Sequence, residues 1–307
     1  MNRRHFLFLL CAAGLNGCGS PRSDSLPSFS ETGLETEPVL PFDIPDGQTL
    51  LRYQFKKGEE LHWNVQHTLK MRNIIGGMEE NIETRSRAVK IWKTLDVDAN
   101  GAATFEYRVE DIDMHQAQTG HDDILYNSCR DKQIPAEFSN LQGKIGVPLA
   151  HIKIEPQGQT TRKPIREYAG SISENRIVIP LPDEPVGTGS RWSEPNQIEL
   201  PQSNRTVKKI RARDEFALES IHSGLATIRF STLIFTPLTP QEESQLLDHF
   251  MQGTMELDLQ AGYFIRHQAT ADRLVVGIQD ASDSIRYLSR TTSCCCGRRA
   301  CEICGIA

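Results

Sequence analysis

Alternation with a period of two, interrupted at short intervals by glycine-containing turns, is the feature that most restricts what this chain can become. Leu61, Trp63, Val65, His67, Leu69 and Met71 fall on one side of an extended strand, because successive side chains in a strand point to opposite faces. Gly76-Gly77 then marks a hairpin. The returning strand runs to Leu95 with Val89 and Ile91 on one face and Trp92 on the other. Asp98-Ala99-Asn100-Gly101 is a second turn, predicted to place both Asn100 and Gly101 at positive φ. The strand after it carries Phe105, Tyr107 and Val109 on one face. Short strands at hairpin spacing predict a mainly β fold of the α+β class, built of antiparallel sheets.

The same series of features then recurs. Gly58-Glu-Glu-Leu-His-Trp63 matches Gly187-Thr-Gly-Ser-Arg-Trp192, and Gly101-Ala-Ala-Thr-Phe105 matches Gly224-Leu-Ala-Thr-Ile228. A short helix is predicted around 135–144, before Gly146, and another around 240–251, before Gly253. Each is followed by a strand and a glycine, at 151–155 with Gly158 and at 255–259 with Gly262. Four features in one order predict two related tandem halves, each packing its helix on its sheet. In the second helix Leu246, Leu247 and Phe250 form the apolar stripe. Pro180, Pro182 and Pro185 between the halves suit a connector, since proline cannot donate to a central ladder.

The N-terminus has a different character. Arg3 and Arg4 precede the apolar run Phe6–Leu15, and Leu15-Asn16-Gly17-Cys18 follows. A basic start, a short apolar core and small residues near a cut site define an export signal. The Leu-x-Gly-Cys ending resembles the lipobox of bacterial lipoproteins, which implies cleavage before Cys18 and acylation of that residue, with firm membrane attachment. Arg3-Arg4-His5-Phe6-Leu7 resembles the core of twin-arginine export signals, so the general and the twin-arginine routes both remain open. Residues 19–49 are rich in Ser, Pro, Glu and Gly without periodicity, and are expected to form a disordered tether reaching about 30 Å. The expected organisation is therefore a signal at 1–17, anchor and tether at 18–49, repeats at 50–170 and 171–290, and a Cys-rich tail at 291–307.

Charge narrows the partners. The formal net charge is −6, and removal of 1–17, with two arginines and no acid, makes it −8. That balance disfavours nucleic acid, which calls for a basic face. No apolar run approaches the roughly 20 residues of a membrane-spanning helix.

The tail is the most conspicuous chemical candidate. Cys294, Cys295, Cys296, Cys301 and Cys304 are five of the eight cysteines. Cys296, Cys301 and Cys304 follow the C-x4-C-x2-C spacing of three cluster ligands in plant-type ferredoxins. Zinc or copper thiolate ligation is a further reading, and disulfides are favoured in an oxidising export compartment, with Cys129 as one available partner. His115, His121, Asp122 and Asp123 are close in sequence but read as a solvated loop. Trp63, Trp92 and Trp192 could line a ligand cleft or pack a core. There is no phosphate-binding glycine loop and no nucleophile elbow.

The segments Leu51-Arg-Tyr-Gln-Phe-Lys-Lys-Gly-Glu59, Asp98-Ala-Asn-Gly-Ala-Ala-Thr-Phe105 and Gly253-Thr-Met-Glu-Leu-Asp-Leu-Gln-Ala-Gly262 resemble, in general pattern, uncharacterised families of exported bacterial lipoproteins. That resemblance implies an envelope location and a β-rich body, and brings no catalytic residues. The expectation is a lipid-anchored, non-enzymatic envelope protein that needs no cofactor and whose domain lies in the periplasm or outside the cell. It would contact the membrane through its anchor and bind an envelope protein. The alternatives are a carrier of a hydrophobic ligand in a sheet–helix cleft, and a metal- or thiol-dependent protein using the terminal cysteines.

Overall fold

Gly76 and Gly77 both adopt positive φ, 58° and 75°, the backbone of a two-residue hairpin whose twist matches its strands. They join β1 (Glu60–Ile75) to β2 (Met78–Val97), two of the longest strands of the molecule. The Asp98–Gly101 turn is built differently from expectation: Gly101 has φ 85°, whereas Asn100 does not take positive φ. The Asp98 carboxylate accepts from the Asn100 and Ala102 amides, and the Gly101 amide bonds to the Asp98 carbonyl. An aspartate-capped turn followed by one left-handed glycine therefore replaces the two-residue turn. At the corresponding place in the second half, Ser223 (φ 50°) and Gly224 (φ 79°) form the two-residue kind.

The computed structural model describes residues 47–164, 178–202 and 206–296. Beyond β1 and β2, its strands are β3 (Ala103–Gln118), β4 (Ile124–Asn127), β5 (Pro148–Ile154), β6 (Thr160–Pro164), β7 (Arg191–Pro201), β8 (Val207–His222), β9 (Leu225–Ile234), β10 (Gln252–Asp258), β11 (Tyr263–Val276) and β12 (Ser284–Cys295). The expectation of antiparallel strands holds, but instead of separate sheets they form one continuous twelve-stranded sheet. Its order is β6-β5-β3-β2-β1-β12-β11-β10-β9-β8-β7, with β4 beside β3. The spatial order of the first half, β6-β5-β3-β2-β1, is repeated in the second as β11-β10-β9-β8-β7. β12 lies between them, pairing with β1 on one side and β11 on the other. Edge strand β7 contains Pro195 and Pro201, which blunt the edge against further pairing.

Both predicted helices are shorter than expected. In the first half a 3-10 turn covers Ala136–Leu141 and sets Phe138 and Leu141 against Ile112, Met114 and Tyr126. Gly143 and Gly146, both at positive φ, follow it. In the second half a single turn, α1 (Pro240–Glu243), is held by a capping box between Thr239 and Glu242. Leu246 then leaves helical geometry, and a 3-10 turn covers Leu247–His249. This break explains why one apolar stripe cannot form. Leu246 packs with Ile198, Leu200, Ile210 and Ala212, while its neighbour Leu247 packs with Leu69, Ala271 and Tyr287. Gly253 lies inside β10 and does not end a helix.

The sheet curls, and the segment before β1 records how far. The Tyr53 amide bonds to the Pro156 carbonyl at the β5–β6 turn, and the next amide, Gln54, bonds to the Gly262 carbonyl at the β10–β11 turn. In a flat sheet β5 and β11 would be about 24 Å apart, five strand spacings. Adjacent amides can reach both turns only if the sheet wraps around them. The connector joins the same seam: Leu181 N–H bonds to the Gln157 carbonyl, the buried Tyr53 hydroxyl exchanges hydrogen bonds with the Ile179 backbone, and Arg52 donates to the Pro182 and Asp183 carbonyls. Each half's glycine turn thus meets the lead-in segment of the other half.

Gly158 and Gly262 are packed into that seam. A Cβ on Gly158 would overlap the Ile179 carbonyl, and one on Gly262 would overlap Gln54; both have positive φ. Gly158→Ala and Gly262→Ala should each cost roughly 2–4 kcal/mol in urea unfolding. Gly120→Ala, equally left-handed but facing open space, should cost only about 1 kcal/mol. Equal losses at the three positions would contradict the seam.

Candidate functional site

Strand parity places an unusual set of side chains on the inner face. Along β1 the inner positions run Trp63, Val65, His67, Leu69; along β12 they run Cys295, Ser293, Thr291, Ser289, Tyr287. In the β1–β12 ladder His67 stands opposite Thr291 and Val65 opposite Ser293. β2 adds Ser86 opposite His67 and Lys90 opposite Trp63, and β11 adds His267 opposite Ser293. Thr84, Ser86, Lys90, His267, Ser289, Thr291 and Ser293 are all buried, Lys90 to 2% exposure. This polar belt separates two apolar clusters. On one side lie Trp63, Trp92, Phe105 and Phe264; on the other Leu69, Leu247, Val275 and Tyr287.

Its geometry is specific. His67 Nε2 lies 2.9 Å from Ser289 Oγ, and the His267 ring stacks on Phe230 with centroids 5.4 Å apart. Burial, reinforced by the charge of Lys90, pushes the His67 imidazole down to about 4, because a desolvated ring beside an ammonium resists a proton. His67 is therefore neutral at pH 7. Among the described residues Thr84 Oγ1, Thr94 Oγ1, Trp63 Nε1 and Trp92 Nε1 are buried with no hydrogen-bond partner.

A second feature lies on the outer face, at the far end of β1. Strands β12, β1, β2 and β3 twist into an open groove of about 440 Å³. Lys70, Arg72, Asn81, Glu83, Thr119, Asp123, Arg286 and Leu288 line it, with Met71, Ile82 and Ala117. Its charges are paired: Arg72 with Glu79 through two bonds of 2.9 and 2.6 Å, Lys70 with Glu83 at 3.0 Å, and Arg286 with Asp272 at 2.6 Å. Hydrogen bonds from Lys70 and Arg85 hold the Glu83 carboxyl below the usual range. The lining contains no histidine, cysteine or serine. Leu274 and Val276 of β11, like Leu288, are exposed, and Leu274 stands opposite Arg286 in the ladder.

The residues singled out from sequence are scattered. Cys18, Arg3, Arg4, Cys301 and Cys304 lie outside the described residues. Cys294 and Cys295 close β12, opposite Asn64 and Trp63, and the Cys296 amide continues the ladder to the His62 carbonyl at 2.6 Å. Cys296 is disulfide-bonded. His115 bonds to Asp123 at 2.8 Å; among the described residues no three His, Cys, Asp or Glu side chains converge as metal ligands. Trp63 and Trp92 pack the main core around a void of only about 10 Å³, and Trp192 stacks on Phe216 while donating to the Pro180 carbonyl at 2.8 Å. The polar belt had one usable sequence signal, the parity that puts Lys90 on the same face as Ala88 and Trp92.

The chain matches no protein-family model, and no curated protein is similar to it. A solved structure described as lipid–protein interactions in lipovitellin is similar at 8% identity and a TM-score of 0.41, over 79% of this chain. The chain spans 25% of that protein's length.

The belt predicts a pH dependence. His67 has a folded value depressed to about 4 against about 6.5 when unfolded. The unfolded state therefore takes up the proton first as pH falls. This contribution to stability is complete above pH 6.5 and is lost as pH falls towards 4. Between pH 7 and 5 the loss should be about 2 kcal/mol, a window above the titration of the ion-paired carboxylates. Urea unfolding of His67→Gln should show that much less pH dependence across the window; an unchanged dependence would contradict the assignment.

Proposed function

We propose that this chain is a lipid-anchored, non-enzymatic binding protein of the bacterial envelope, tethered through Cys18, which presents its outer-face groove to an envelope partner. The observation that carries the binding part is the groove itself: about 440 Å³, open, with the outward side chains of Leu288 and Ala117 flanking the Lys70–Glu83 ion pair in one row across the sheet. Charges held by neighbours need no reorganisation when a partner docks, and burial of Leu288 and Ala117 supplies a driving force. The anchor is supported by the signal ending at Cys18. Among the described residues no helix is long and apolar enough to cross a membrane.

A carrier of a hydrophobic ligand is the second reading, and the groove is what favours it. Its volume falls within the roughly 300–1,000 Å³ of small-molecule sites. The aromatic cleft around Trp63 and Trp92, with its void of about 10 Å³, is too full to hold an acyl chain, so the cargo would sit in the groove.

Two measurements test these readings. After a high-salt wash Cys18→Ala should leave the membrane fraction while the native chain stays in it, and salt-resistant retention equal to the native chain's would exclude the acyl anchor. Ala117→Trp with Leu288→Lys, which fills the groove and adds charge, should lower chemical cross-linking to envelope proteins by roughly tenfold without altering the unfolding midpoint. Mass spectrometry of bound lipid in the same variant separates the readings. Loss of lipid with cross-links retained identifies a carrier; retention of both would dismiss the groove as the site.

A further inference from the structure

The stretch 200–213 contains Arg205, Lys208, Lys209, Arg211 and Arg213 and no acidic residue, in a chain whose net charge is −6. From Val207 onward it forms the start of β8, and alternation sorts it. Ile210 and Ala212 are buried, whereas Lys209, Arg211 and Arg213 are exposed on the outer face. Lys208, of the opposite parity, is engaged by Glu242 at 2.7 Å. Successive cations of the stripe stand about 7 Å apart along the strand. Acids reach only its flanks: Glu199 lies opposite Lys209 in the ladder, and Glu215 comes no closer than 4.0 Å to Arg213.

Three large apolar side chains are exposed along the same face: Val207 at 52%, Leu233 at 40% and Phe235 at 49%. They are held in place. Leu233 faces Arg213 across the β8–β9 ladder. The Phe235 amide bonds to the Arg211 carbonyl at 2.9 Å, and the Arg211 amide bonds to Thr236 Oγ1 at 2.7 Å. The Arg213 guanidinium lies 5.0 Å from the centre of the Phe235 ring. Backbone bonds thus fix an aromatic ring outward, beside cations, in a setting where folding alone gains nothing from its exposure.

We propose that this face of β8 and β9 docks on an anionic phospholipid surface, the cations meeting phosphates while Val207, Leu233 and Phe235 enter the acyl boundary. Interspersed cations and apolar side chains match a lipid interface, which offers both environments at one depth. An acidic polypeptide would use the charges and leave the apolar side chains exposed. The proposal deepens the envelope reading and takes its location from it, yet it requires no acylation of Cys18. A second contact of this kind would fix the orientation of a body otherwise held only by a tether.

The test uses the full chain carrying Cys18→Ala, so that no acyl group contributes. Its sedimentation is measured with vesicles of equal parts phosphatidylglycerol and phosphatidylcholine, and with vesicles of phosphatidylcholine alone. The expected result is binding to the anionic vesicles, weakened by salt, and reduced roughly tenfold or more in Lys209→Gln/Arg211→Gln/Arg213→Gln. Phe235→Ser alone should weaken it severalfold, and keeps the test decisive if the triple variant does not fold. Any binding through residues 1–46 is common to all variants and cancels in the comparison. Failure to bind anionic vesicles, equal binding to both compositions, undiminished binding by the variants, or binding to polyglutamate without binding to vesicles would each overturn the proposal. Release of Cys18→Ala from salt-washed membranes reports on the anchor alone, because salt removes the electrostatic contact, so the two ideas fail separately.

Discussion

The pairing of β1 with β12 is the contact on which the remainder of the sheet depends. It joins Trp63 to Cys295 at one end and Ile74 to Ser284 at the other, residues more than 200 positions apart. Without it, β1 and β12 would each present an edge of unpaired amides and carbonyls. The main core would also lose continuity, because it draws on β1, β2, β3 and β5 from one half and on β8 to β11 from the other. So long a loop is closed at an entropic cost that grows only slowly with length, but it delays the contacts that stabilise it. Folding should be slow for a domain of this size.

The curled sheet resolves a problem that its width creates. Open sheets of more than about ten strands tend to curl or split. Here the lead-in segment and the connector lie within the curl and satisfy their polar groups against turns from both halves. Gly158 and Gly262 occupy corresponding places in the two halves, and each admits the backbone of the opposite half's lead-in. Each half's glycine turn takes a hydrogen bond from the other half's lead-in, which ties the two halves together more firmly than a linker could. The edges are treated differently: Pro195 and Pro201 in β7 limit further pairing, so growth of the sheet stops at that side.

Alternation and turn chemistry made the first hairpin, the second turn and the recurrence of features readable, since each depends on neighbours within a few residues. β12 was harder to see. Its inner residues Ser289, Thr291 and Ser293 are as polar as its outer residues Arg286 and Arg290, so the period of two carries no hydropathy signal. The cysteines at its end also continue the strand, which their spacing did not reveal. Lys90 and His67 have the same character: a buried lysine contradicts every compositional rule, and only parity betrays it. The outer groove was invisible because Arg286 and Leu288 reach Lys70 and Arg72 through a pairing of distant segments. The helices were overestimated because apolar residues at helical spacing also satisfy two separate clusters, as Leu246 and Leu247 do.

The central place of β12 has a consequence for how the protein is made. Synthesis runs from the N-terminus, so β1 to β6 on one side, and β7 to β11 on the other, all emerge before the strand that unites them. A nascent chain of some 280 residues therefore carries two open sheet margins and a divided core, and neither can be completed while β12 is still within the ribosome. Order arrives late and all at once. Such a chain stays in a form accessible to chaperones until β12 has emerged, and it is most exposed to misassembly with a second copy of itself during the same interval.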